Sequence, residues 1–382
     1  MTASVAQTTA PQQEPPRQPD RGLLPQVVVV GGVVAVAAGW FVVGVTTGRL
    51  LLATGIALGA VGVLVLLPRP RWLLAVLVVS EIANLAGIAQ AHGIPRFSAA
   101  LLALSVLGLL LRWARHGGGP VWSPVLWFGA AFFAARAVSV FAAQDRAESM
   151  SALTGLAADL LFFLVVFTLC VRLRGELLLA RTMVITAAAL SLLALVQQFL
   201  LGNATSFFGL STQPTVVDVG LSVGRHSGPL SDPNFWGRVL VTIAPLALSL
   251  FADTSSGRRR WWWLGAFAVI CGGVYLTGSR GTLLVLAAVL VLWCLLAGRQ
   301  YRRLLLFTPL AVALLLVLPG VGTRLASITD VSNTSAETAD LSLTGRIGVQ
   351  ELGAHMFAEH PAIGVGVANF QTVEPDYQQR YG

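Results

Sequence analysis

Apolar runs of about twenty residues, parted by short arginine-bearing connections, recur from residue 27 to residue 319, and few folds can accommodate such a pattern. In hydrocarbon every backbone N–H and C=O needs an internal partner, so repeated runs of this length predict membrane-spanning helices. Eleven spans are predicted, at 27–47, 50–67, 72–91, 97–111, 121–143, 153–170, 183–201, 235–251, 261–277, 281–297 and 304–319. Composition agrees: 55% of residues are hydrophobic, only 11% are charged, and mean hydropathy is +0.77, too apolar for a soluble chain of 382 residues. The expected fold class is all-α, a polytopic membrane helix bundle of about 11 spans with a partly helical extracytoplasmic C-terminal segment.

Charge sets the expected orientation. The net charge of +8 is carried by arginine alone, since the chain has no lysine. Arginines in short loops stay on the cytoplasmic side. With the N-terminus inside, cytoplasmic connections hold Arg69 and Arg71, Arg112 and Arg115, Arg172, Arg174 and Arg181, Arg258 to Arg260, and Arg299, Arg302 and Arg303. The outer connections hold one each: Arg49, Arg96, Arg146 and Arg280. The expected organisation is a disordered cytoplasmic tail over 1–26, rich in proline, then a transmembrane domain over 27–319 that includes an outer loop at 202–234. An extracytoplasmic segment follows over 320–382, expected to be truncated. Such basicity reflects anchoring loops, and nucleic acid is not an expected partner. Cys170, Cys271 and Cys294 fall inside apolar runs and read as small hydrophobes.

Polar outliers mark the chemistry. The densest is Gly224 to Arg238, reading G-R-H-S-G-P-L-S-D-P-N-F-W-G-R; Thr277-Gly278-Ser279-Arg280-Gly281 and Thr344-Gly345-Arg346 are the others. Arg225, Arg280 and Arg346 each lie at an expected outer boundary beside glycine or small polar residues. A lone boundary arginine can simply snorkel to headgroups, but three with these flanks suit one phosphate-bearing ligand, because guanidinium forks bind its oxygens bidentately. Asp232, ahead of Pro233, reads as a helix N-cap.

Within spans, Arg136 and Asp159 sit at equal distances from the turn at Gln144 to Ser149, which predicts a structural ion pair at one depth. Glu81, with Asn84 after it, stands mid-span without an obvious partner. His92, His116, His226, His355 and His360 show no metal-ligand spacing, and no metal or other cofactor is expected. An amphipathic helix is expected around Gly345 to Phe357, followed by the turn-rich His360-Pro361-Ala362-Ile363-Gly364-Val365-Gly366-Val367-Ala368-Asn369-Phe370.

Taken in order, the many spans, the R-x-x-G-x-x-x-x-P-N segment beginning at Arg225, the T-G-S-R-G boundary, the later G-R and the H-P-x-x-G-x-G-x-x-N-F run resemble the O-antigen ligase and O-antigen polymerase superfamily over roughly residues 60–370. The resemblance implies a membrane glycosyltransferase that moves a glycan from an undecaprenyl pyrophosphate carrier to a glycan or lipid acceptor outside the membrane, where nucleotide donors are absent. It assigns pyrophosphate binding to Arg225, Arg280 and Arg346. The family's later histidine motif has no counterpart here, which leaves His226 and His360 as the weaker candidates for the base. The chain is therefore expected to bind the donor but to need sequence beyond Gly382 for transfer. A secondary transporter or lipid-linked glycan flippase is the rival expectation, although the sequence shows no inverted repeat or paired broken spans.

Overall fold

The computed structural model describes residue 62 and residues 65–94, 96–218, 221–254, 257–307 and 341–381. The expectations for 1–26, 27–47, most of 50–67 and 308–340 lie outside the described residues. The chain divides into two compact units, Met1–Pro68 and Arg69–Gly382, and the elements below belong to the second.

Helix α1 (Pro70–Ile82) starts with proline in its first turn and is followed by α2 (Leu85–Ala91). Next come α3 (Phe97–His116), α4 (Pro124–Ser139), α5 (Arg146–Leu173) and α6 (Glu176–Phe199). A hairpin of β1 (Thr215–Asp218) and β2 (Leu221–Gly224) precedes α7 (Pro233–Asp253), α8 (Arg258–Leu276) and α9 (Arg280–Leu296). The short α10 (Arg299–Arg302) and, further on, α11 (Leu341–Glu359) and α12 (Phe370–Tyr381) complete the described elements. Five of these helices are long and apolar enough to cross a membrane, with α1 and α2 as a possible sixth bent span, and the shorter apolar α9 stands apart. The protein is thus a multi-pass, essentially all-helical membrane protein, while the expected count of about eleven spans exceeds what the described residues contain.

Two features depart from the sequence reading. The run expected as one span at 72–91 is broken: α1 and α2 meet at a bend of 64°. Asn84 causes the break, because it adopts a left-handed backbone (φ 46°) and its side-chain oxygen accepts the Gly87 N–H at 3.2 Å, starting a new helix. The expected outer loop at 202–234 also contains the antiparallel pair Thr215↔Gly224 to Asp218↔Leu221. Each strand has only four residues, and the first, T-V-V-D, does not alternate, so neither stands out among long apolar runs.

Helices α6, α7 and α8 form the core. Val184, Ala187, Leu190 and Ala194 of α6, Leu240, Val241, Ile243, Ala244 and Ala247 of α7, and Ile270 and Val274 of α8 are all buried. Hydrophobicity alone gives helices no reason to associate in lipid, so close packing of small residues has to do so. Gly272 and Gly273 supply it. A Cβ on Gly272 would sit 3.1 Å from a Leu195 methyl, and one on Gly273 would collide with the Ser191 hydroxyl and lie 3.0 Å from Leu240.

The segment expected to be helical around Gly345 to Phe357 is α11, which pairs with α12 through Leu352, Met356, Val373 and Tyr377. The H-P-x-x-G-x-G-x-x-N-F run fastens this hairpin to the α4–α5 turn. Asn369 is fully buried: its side-chain oxygen accepts the Asp145 N–H at 2.7 Å, and its Nδ2 reaches Asp145 O at 3.0 Å, Ser149 Oγ at 2.7 Å and Val367 O at 3.0 Å. Ser149 in turn donates to Val367 O at 2.7 Å. Gly366 (φ +102°) lies so close to Ala143 that an added Cβ would be 2.6 Å from its Cα. The glycines and asparagine of this motif therefore act as a clasp.

Two substitutions test this packing. Gly273→Leu is expected to lower stability by about 2 kcal/mol, as overpacking does, read as a drop in Tm of the detergent-purified protein. Asn369→Ala should release the clasp at a similar cost of about 2 kcal/mol, with faster hydrogen exchange across 341–381. Exchange there unchanged from wild type would show that Asn369 does not hold the hairpin.

Candidate functional site

The Gly224–Arg238 stretch is pinned to four helix ends. The last carbonyls of a helix have no partner within it and carry partial negative charge. At the end of α8 the Arg225 Nε donates to Thr277 O at 2.8 Å, and the His226 backbone N–H donates to Leu276 O at 3.1 Å. The Arg225 Nη2 donates to the side-chain oxygen of Asn234, in the first turn of α7, at 3.0 Å. Asn84, at the α1–α2 break, donates to Pro229 O at 3.0 Å. From α6, Gln198 meets the His226 ring, while the Ser211 hydroxyl bonds Gln197.

Within the loop, Thr212 is the hub. Its N–H donates to Gly228 O at 2.8 Å, its hydroxyl lies within 3.0 Å of Gly228 O and Leu230 O, and its carbonyl accepts the Ser227 N–H at 3.0 Å. Gly228 (φ +57°) sits against the fully buried Trp236 ring, where a Cβ would approach to 2.5 Å. Asp232 is the expected N-cap of α7, its carboxylate accepting the Asn234 N–H at 2.6 Å. The α8–α9 turn is as compact: the Thr277 hydroxyl donates to Val274 O at 2.7 Å, Gly278 takes φ +59°, and Ser279 caps α9 by accepting the Thr282 N–H.

Together these turns set the starts of α7 and α9 side by side. Gly237 permits the approach, since a Cβ there would fall 2.6 Å from the Thr282 hydroxyl. Between them lies a groove of about 350 Å³ lined by Asn234, Arg238, Val241, Thr242, Ser279, Gly281, Thr282 and Val285. Helix N-termini carry partial positive charge, so a groove edged by two of them suits an anion, although Asp232 and Ser279 each cap one N–H there. Arg238 adds a full charge, its guanidinium 4.9 Å above the Phe235 ring. Gly281 faces open space, with nothing within 4 Å of an added Cβ.

Of the sequence-expected residues, Arg225 and Arg280 come to this end of the bundle: Arg225 is bonded to Thr277, and Arg280 stands between the groove-lining Ser279 and Gly281 in the chain. Arg346 falls in α11, but its side chain lies outside the described residues. His226 is 1% exposed, with Nε2 2.8 Å from Gln198 Oε1 and Nδ1 buried without a partner. Burial pushes its pKa below the ordinary 6.5, so the ring is neutral at pH 7 and suited to holding the loop. His360 is exposed beyond α11, whereas His355 stacks on Tyr381 at 4.0 Å. Arg238 was missed by sequence reasoning. It stands one helical turn after Asn234, and that spacing was the available signal.

The expected Arg136–Asp159 ion pair is not present among the described residues. The Arg136 guanidinium lies 5.5 Å over the Phe132 ring, and Asp159 is near enough to Glu81 for their charges to interact. Equal depth does not fix which way a side chain points. Here α4 meets α5 at Gly129 and Leu160, and a one-residue step from Leu160 turns Asp159 about 100° from that contact. Asp159 is itself a carboxylate, so it repels Glu81 rather than pairing with it.

The site occupies a multi-pass membrane protein with an anion-suited groove at the start of two helices. Residues 264–382 match the family model described as O-antigen ligase. No curated protein and no solved structure matches. The matched region includes Arg280 and the Asn369 clasp; Arg225 and Arg238 precede it.

Two outcomes check the geometry. Arg225→Lys cannot reach Thr277 O and Asn234 Oδ1 at once, and should cost about 2 kcal/mol of stability. Because His226 titrates below its unfolded value, the unfolded chain binds more protons at acid pH. Its contribution is fully present above about pH 6.5 and is lost as pH falls from there toward the folded pKa. His226→Gln should flatten the fall in Tm as pH drops below about 6.5; an unaltered slope would exclude this ring as its source.

Proposed function

We propose that the protein is a glycosyltransferase that moves a glycan from undecaprenyl pyrophosphate to an acceptor outside the membrane, and that the α7–α9 groove receives the pyrophosphate. The observation that carries this reading is the convergence of two helix N-termini and Arg238 on one open groove, within a chain whose 264–382 segment matches O-antigen ligase. Arg280 stands at the groove's edge in the chain, Arg225 braces both helix ends, and Arg346 is carried by the family resemblance. The distribution of arginines among the loops supports a cytoplasmic N-terminus and an extracytoplasmic site.

The acceptor hydroxyl oxygen attacks the anomeric carbon as the bond from that carbon to the pyrophosphate oxygen breaks. The leaving group departs with the electron pair, and preorganised arginines and helix N–H groups neutralise its growing charge. The acceptor proton passes to a general base. Of the two candidate histidines, His226 is sealed off and His360 is solvent-exposed.

One observation favours the flippase reading, namely the broken α1–α2 span with Glu81 near its bend. The break already has a structural task, because Asn84 both starts α2 and holds Pro229 of the site loop. A flippase of lipid-linked glycans would also hold a pyrophosphate, so it is the O-antigen ligase match over 264–382, and not the groove, that favours transfer.

Binding of undecaprenyl pyrophosphate to the purified full-length protein tests the assignment. Gly281→Leu projects into open groove and should leave Tm unchanged while weakening binding at least about tenfold, roughly 1.4 kcal/mol. Arg280→Lys keeps the charge but loses the fork and should weaken binding by a similar factor. Equal affinity in wild type, Gly281→Leu and Arg280→Lys would place the ligand elsewhere.

A further inference from the structure

A second cavity opens at the opposite end of α8. It has a volume of about 680 Å³ and is lined by Ala188, Ala189 and Leu192 of α6 and by Arg258, Trp261, Trp262, Gly265, Ala266 and Val269 of α8. The two helices are locked together at Gly272 and Gly273 against Leu195 and Ser191. Nearer the start of α8 small residues line both helices, and Gly265 has nothing within 4 Å of an added Cβ. The result is an apolar trough with a cationic, aromatic mouth.

The mouth is electrostatically unbalanced. Arg258, Arg259 and Arg260 occupy the first turn of a 19-residue helix, where the macrodipole is positive, with no acidic residue in that turn and no side-chain cap from Gly257. Among the described residues none of the three makes an ion pair: Arg260 lies 4.1 Å over the Phe251 ring, while Arg258 and Arg259 are exposed. By contrast, α5 starts with Asp145 and Glu148 and α6 with Glu176. Three cations at a positive helix end call for an anion. Trp261 and Trp262, 65% and 75% exposed, are the residue type that settles at the headgroup level of a bilayer.

We propose that this trough is a binding site for an anionic phospholipid of the leaflet on the Arg258 side, distinct from the proposed donor site. An acyl chain lies along Ala188, Ala189, Leu192, Gly265 and Val269, and the headgroup phosphate meets Arg258 and the uncapped N–H groups of α8. Basic pockets between spans recognise anionic headgroups in this way, and charge complementarity selects such a lipid over a zwitterionic one. The site would make the protein's stability depend on the leaflet's anionic content, without any role in donor binding.

The test is lipid retention by the purified full-length protein, measured by native mass spectrometry after exchange into equal amounts of phosphatidylglycerol and phosphatidylcholine. Wild type should retain phosphatidylglycerol preferentially. Arg258→Gln should reduce that preference about fivefold. Gly265→Leu, which fills open space in the trough, should abolish it while leaving Tm in detergent and undecaprenyl pyrophosphate binding unchanged. Equal retention of the two lipids by wild type, or preference unaltered in both variants, would overturn the proposal. So would crosslinks showing a segment of this chain, or a second copy, seated in the trough.

Discussion

The structure depends on how the exposed carbonyls at the end of α8 are satisfied. Leu276 O and Thr277 O accept from the His226 backbone and the Arg225 guanidinium, so one loop dipeptide terminates the helix and holds the loop. Arg225 also grips Asn234 at the start of α7. A single cation thereby couples the negative end of one helix to the first turn of its neighbour, and it does so where a guanidinium's several donors are required. The groove follows from that coupling, because α9 begins only three residues after Thr277.

The proposed anion site and the helix packing share the same residues here. Gly237 lets α7 and α9 come close enough for their N-termini to edge one cavity, and Gly281 keeps the cavity open. In lipid, where small residues do the packing that apolar surface cannot, glycine is the means of both association and access. The same economy appears at the other end of α8, where Gly265 leaves space between helices that Gly272 and Gly273 bring together. The C-terminal hairpin reaches the bundle through a separate device, the buried Asn369, whose bonds replace those the α4–α5 turn would otherwise make with water.

Much of this was legible in the sequence, in proportion to how local the determining physics is. The five spans between Phe97 and Asp253, the Asp232 cap and the helix later found at Leu341–Glu359 depend on neighbouring residues, and the sequence reading located them. The grouping of Arg225 with the Thr277–Gly281 turn followed from polar residues gathering at helix ends. What was misread depends on azimuth and on distant contacts. Arg136 and Asp159 share a depth but not a face, because Gly129 and Leu160 set how α4 and α5 meet. Asn84 looked like a mid-span polar residue, yet its left-handed backbone breaks the span and its bond to Pro229, 145 positions away, ties that break to the site loop. Arg238 went unremarked because its spacing from Asn234 on α7 gains meaning only when α9 supplies the facing wall of the groove.

The central claim is that a lipid pyrophosphate is held between the first turns of α7 and α9. A cryo-electron microscopy structure of the full-length protein with saturating undecaprenyl pyrophosphate tests it most directly. The account predicts density for both phosphates between Asn234 and Arg238 on one side and Ser279 to Thr282 on the other. Phosphate density at another place on the protein, with this groove empty, would contradict it.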